Sequence, residues 1–166
     1  MSAERRTGHE LCWGVKASLR DYLSAIDGEI VCGDGADQTP AGEFMFPTAH
    51  PTHLDSSRCL RFRGTVVFSA YHGMLLVRLR DPWVMLAGAV GSLTMMHPDF
   101  ADRTSERIEI ATFSLPEHPD VASGRGWTIA VPRLTYDGTR ALGDVYGIGT
   151  ELDPIHIRQS AAAAQP

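Results

Sequence analysis

Cysteine is scarce in this sequence, with three residues in 166. Cys12, Cys32 and Cys59 show no CxxC spacing, which argues against a zinc site, and their odd number leaves at least one thiol unpaired. Neither an HExxH nor an HxxxH pattern is present to hold a metal on one helix face. No stretch approaches the roughly 20 consecutive apolar residues of a membrane span. No apolar run follows Arg5 and Arg6, so the opening residues do not read as a secretory leader. The expectation is a cytoplasmic chain with all three thiols reduced. Lysine and arginine form no run, and the formal net charge is -5. That balance excludes the basic footprint of a nucleic-acid binder.

What is present is an ordinary globular composition, 43% hydrophobic and 21% charged. The length predicts one domain, placed at residues 9–158, with flexible tails at 1–8 and 159–166. Leu11, Val15, Leu19, Tyr22, Leu23 and Ile26 fall at helical spacing, and Gly28 follows as a stop. The helix is expected to begin just after Trp13, itself read as a core anchor. Most of the remainder reads as strand. Candidate strands are Glu29–Cys32, Glu43–Phe46, Cys59–Phe68, Met74–Arg80, Trp83–Leu86, Ser92–Met95, Arg107–Leu115 and Trp127–Tyr136. In Met74–Arg80, for example, Leu75, Val77 and Leu79 alternate with Arg78 and Arg80. A second short helix is expected within Gly138–Gly147. The fold class is therefore mainly β, an antiparallel β-sandwich with one or two short α-helices.

Two long stretches carry more than composition. The first is Leu11-Cys-Trp-Gly-Val-Lys-Ala-Ser-Leu-Arg-Asp-Tyr22, and the second runs from Leu134 through Tyr136-Asp-Gly-Thr-Arg-Ala-Leu142 and Val145-Tyr146-Gly to Asp153-Pro154. Between them lie Gly64-Thr-Val-Val-Phe68, Tyr71-His-Gly-Met-Leu75 and Asp81-Pro-Trp-Val84. In this order the segments resemble the haem-transport-associated (Htaa) domain family. The resemblance implies a β-sandwich that binds one haem b, with the tyrosine of the opening helix on the iron. Carried over, the iron ligand is Tyr22, and the residues near the haem are Ser18, Tyr71, His72, Leu142 and Tyr146. The family reads His-x-Gly in its central hairpin, whereas Tyr71-His72-Gly73 puts tyrosine in that register and His72 one position late. A one-residue offset turns a strand side chain to the other face. Chemistry favours His72 as the partner of Tyr22, because imidazole can donate and also titrate near neutrality. Register favours Tyr71.

A tyrosinate is a hard anionic oxygen ligand and prefers ferric iron. Free tyrosine titrates at about 10, so the iron charge and a hydrogen-bond donor must stabilise the anion. Ser18 lies four residues before Tyr22, on the same helix face. His50, His53 and His97 are loop residues with solvated roles as the first expectation and a sixth iron ligand as the second. Met45, Phe46, Met95, Met96 and Phe100 read as core or as an apolar pocket wall. Asp153-Pro154 reads as a turn. These features point to a haem-binding protein for uptake, transfer or intracellular buffering, with a haem-dependent enzyme as the alternative. Implied partners are haem and a haem donor or acceptor protein; surface strands permit a homodimer.

Overall fold

The computed structural model describes residues 9–49, 59–98, 106–115 and 126–159. Strand structure begins earlier than the helical spacing predicts. Leu11, which falls in the helical spacing, lies in β1 (His9–Trp13) and not on the face of a helix, together with the core anchor Trp13. The physical reason is burial on both sides. β1 is the middle strand of a five-stranded sheet, between β13 (Ile155–Gln159) and β4 (Phe44–Pro47). Leu11 stands opposite Ile157 and Phe46, and Trp13 opposite Ile155 and Phe44. A strand covered on both faces is apolar at both parities and loses the alternation that marks a half-buried strand. Val15 then takes a positive φ of 65°. This turn separates β1 from helix α1 (Ala17–Ala25), which keeps the predicted period with Leu19 and Leu23 buried.

The other strands are β2 (Glu29–Gly33), β3 (Asp37–Gln38), β5 (Cys59–Arg61), β6 (Thr65–Ala70), β7 (Leu75–Arg80), β8 (Trp83–Ala87), β9 (Val90–Met96), β10 (Arg107–Ser114), β11 (Trp127–Ile129) and β12 (Arg133–Leu134). Every pairing is antiparallel. The first sheet has the order β11-β13-β1-β4-β3, the second β12-β10-β9-β8-β5, and a three-stranded sheet β2-β6-β7. The fold is thus mainly β, as the sequence predicts, with two α-helices among the described residues. Two expected strands are each interrupted. Cys59–Phe68 splits at Phe62–Gly64, where Gly64 has a φ of 134° and the Cβ of any other residue would strike Ala36. Trp127–Tyr136 ends at β12, and Tyr136 instead opens α2 (Tyr136–Ala141). Gln159, expected in a tail, is the last residue of β13.

The core lies where these sheets face each other. Phe44 of the first sheet meets Phe68 of the third edge to face, with ring centroids 5.3 Å apart. Val66 and Leu79, and Phe68 and Val77, stand opposite one another on the inner face of the β6–β7 hairpin. Cys12, Cys32 and Cys59 are all free thiols. Among the described residues no helix is long and apolar enough to cross a membrane.

Candidate functional site

The candidate site starts from the way α1 is pinned. Lys16 at its N-cap position makes no side-chain cap. The cap comes from the far end of the chain, where the Ala17 backbone N–H donates to Asp153 Oδ1 at 3.1 Å. Arg20 Nη1 donates to Asp153 Oδ2 at 2.8 Å and also to the Gly14 carbonyl. Gly14 leaves room for this pair, since a Cβ there would push aside the Arg20 guanidinium and the Asp153 carboxylate. Trp13 Nε1 donates to the Asp153 carbonyl at 2.9 Å. The sequence offered Asp153 only as a turn residue, whereas it fixes the position of the helix that carries Ser18 and Tyr22. Asp153→Ala is expected to cost about 1–3 kcal/mol by removing the cap and stranding Arg20. Urea denaturation of the variant measures this, and a loss below about 0.5 kcal/mol would count against the anchoring role.

With Leu19 and Leu23 turned inward, the outer face of α1 presents Ser18 and, one turn on, Tyr22. Each hydroxyl meets a tyrosine from another element. Tyr22 and Tyr71 share a hydrogen bond at 3.1 Å, and Ser18 and Tyr146 share one at 2.8 Å. Tyr22 is 44% and Tyr71 53% exposed, so both phenols reach the surface.

Tyr71 belongs to the turn of the β6–β7 hairpin, a 3-10 segment over Tyr71–Gly73. Tyr71, His72 and Gly73 have φ of 52°, 56° and 89°, three successive left-handed residues. Only the glycine adopts this conformation without penalty. The turn brings the Tyr71 hydroxyl onto Tyr22, while His72 is exposed on the turn and makes no hydrogen bond to Tyr22. The bond to Tyr22 pushes the Tyr71 hydroxyl above the ordinary tyrosine range, so Tyr71 keeps its proton.

The third wall follows α2. Thr135 caps this helix, accepting from the Gly138 N–H at 2.9 Å. Tyr146 packs against the core while its hydroxyl reaches Ser18. A Cβ placed on Gly143 would lie 3.3 Å from Leu75 Cδ1 and 4.0 Å from Val145 Cγ2, which brings the loop against the base of the hairpin. Met74, which follows the turn that carries Tyr71, is 89% exposed, and Val145, next to Tyr146 in the chain, is 58% exposed. Leu142 is fully buried in the core. Met95 and Phe46 are likewise core residues. His97 leaves β9, its backbone N–H donating to the Glu106 carbonyl at 2.9 Å. His50, His53 and Phe100 lie outside the described residues. Among the described residues no group of three or more His, Cys, Asp or Glu side chains is arranged to hold a metal ion.

The family model described as Htaa matches residues 8–158. Among solved structures, the C-terminal domain of HtaA from Corynebacterium glutamicum is similar with a TM-score of 0.71 and 23% identity, covering 91% of this chain and 94% of that one. The N-terminal domain of the same protein gives 0.68 and 24%, covering 93% and 98%. The heme binding protein HtaB from that organism gives 0.68 and 20%, covering 91% and 92%. A search of curated protein sequences gives no match.

Proposed function

The chain belongs to the Htaa family, and on that premise we propose that it binds ferric haem b through the phenolate of Tyr22. The observation that carries this reading is the half-exposed Tyr22 phenol, hydrogen-bonded by Tyr71 at 3.1 Å. The residues fit an iron porphyrin. A hard oxygen donor faces outward, and Met74 and Val145, neighbours in sequence of the Tyr71 turn and of Tyr146, offer exposed apolar surface to a macrocycle. The iron supplies the positive charge that lets Tyr22 lose its proton near neutrality. Tyr71 keeps its own proton and donates it to the Tyr22 oxygen. The Ser18–Tyr146 bond holds the loop after α2 against α1. The role that suits a surface site of this kind is haem uptake, transfer or buffering, with a haem donor or acceptor protein as partner.

Haemin titration of the purified protein is expected to saturate at one equivalent with a ferric tyrosinate spectrum. The same titration separates the two hairpin residues. Tyr71→Phe should shift the tyrosinate charge-transfer band, whereas His72→Ala should leave it in place. A titration with no defined stoichiometry would count decisively against haem binding. A band that moves only in His72→Ala would show that the turn rearranges when haem arrives.

A further inference from the structure

Resting on the reading of Tyr22 as iron ligand, we propose that Tyr71 sets the redox potential of the haem that Tyr22 holds, so that one-electron reduction of the iron releases it. The argument begins with the direction of one hydrogen bond. The two phenol oxygens are 3.1 Å apart. A phenolate on iron has no proton to give, so in the loaded site the bond runs from Tyr71 to Tyr22. Among the described residues no lysine or arginine hydrogen-bonds either phenol, so Tyr71 is the donor that tunes the ligand. The backbone places it: Tyr71 and His72 both sit at positive φ, and this turn brings the Tyr71 phenol onto Tyr22 of α1.

Donation draws electron density from the phenolate and weakens its preference for ferric over ferrous iron. The potential is therefore higher than that of an unbonded phenolate ligand and comes closer to the reach of a donor of the reduced-flavin class. When such a donor passes one electron to the iron, Fe(III) becomes Fe(II) and the donor is oxidised by one electron. Tyr22 then leaves with both electrons of the iron–oxygen bond and takes a proton from water. The chain returns to the arrangement seen here, two neutral phenols sharing one hydrogen bond.

Potentiometric titration of the haem-loaded protein, followed by the haem absorbance, tests this directly. Tyr71→Phe is expected to move the midpoint to lower potential, and Tyr71→His, which restores a donor, to bring it back toward the wild-type value. Transfer of haem from the wild-type protein to apomyoglobin should be at least about tenfold faster with dithionite present than without it. A midpoint unchanged in Tyr71→Phe, or equal transfer rates in both oxidation states, overturns the proposal while leaving Tyr22 as the ligand. If the wild-type protein gives no tyrosinate spectrum, the ligand reading and this proposal fall together. Tyr71 is half-exposed, so both variants are expected to fold, and a thermal melt of each confirms that the potentials compare like with like.

Discussion

Tyr22→Phe is expected to lower haem affinity by at least about a hundredfold, since removing even a partner of a metal ligand costs 10- to 100-fold. Stability should hardly change. The side chain is 44% exposed, its ring packing survives in phenylalanine, and the one hydrogen bond lost is at the surface. The expected shift on thermal or urea denaturation is within about 0.5 kcal/mol. Tyr22→Ala should bind more weakly still, because it also removes the apolar ring beside Tyr71. The charge-transfer band identifies the ligand independently of affinity. If Tyr22→Phe keeps that band and Tyr22→Phe/Tyr71→Phe loses it, then Tyr71 holds the iron and the assignment to Tyr22 is wrong. If the double variant keeps the band, the ligand lies outside this pair.

Trp13→Ala is expected to carry the largest stability loss, about 3–5 kcal/mol, in the range for truncating a fully buried aromatic residue. Trp13 has no exposed surface, and it stands opposite Ile155 and Phe44 in the middle of the first sheet. Its indole N–H also satisfies the carbonyl of Asp153, the residue that caps α1. Small domains have roughly 5–15 kcal/mol of stability in total, so this single change uses up much of it. Trp13→Phe separates the two contributions, since it keeps most of the ring volume and removes the N–H. Its loss should be smaller, about 1–3 kcal/mol, and dominated by the unpaired carbonyl and the residual cavity. Equal losses in the two variants would mean that the hydrogen bond, and not packing, is what Trp13 contributes. A Trp13→Ala loss below about 1 kcal/mol would remove it from the core argument altogether.

Where side-chain periodicity is one-sided, the sequence was enough to place an element. In β7, Val77 and Leu79 are buried while Leu76 and Arg78 are exposed, matching the alternation in the residues. In α1, Leu19 and Leu23 are buried and Ser18 and Tyr22 face out, matching the 3.6-residue period. β1 was not legible in this way. Its neighbours, β4 and β13, come from far later in the chain, and covering both of its faces erased the pattern that distinguishes a strand from a helix. The edge strand β3, two residues long, is likewise fixed by its partner β4 and carries no signal of its own.

The sequence by itself determined the mainly antiparallel β architecture, the helix carrying Ser18 and Tyr22, and the segments shared with the Htaa family. These follow from local patterns, which residues within a few positions of one another settle among themselves. Only the tertiary structure decided that Tyr71 meets Tyr22, that Ser18 meets Tyr146, that Leu142 lies in the core, and that Asp153 caps α1 from 136 residues away. Each of these depends on backbone handedness at a turn or on contacts between distant segments. A left-handed φ at Tyr71 and His72 is not the ordinary preference of either residue; it is held by the hairpin that closes around it. A hydrogen-bond partner is chosen by which oxygen the folded chain brings within about 3 Å, and that choice is made by the packing of all three sheets together.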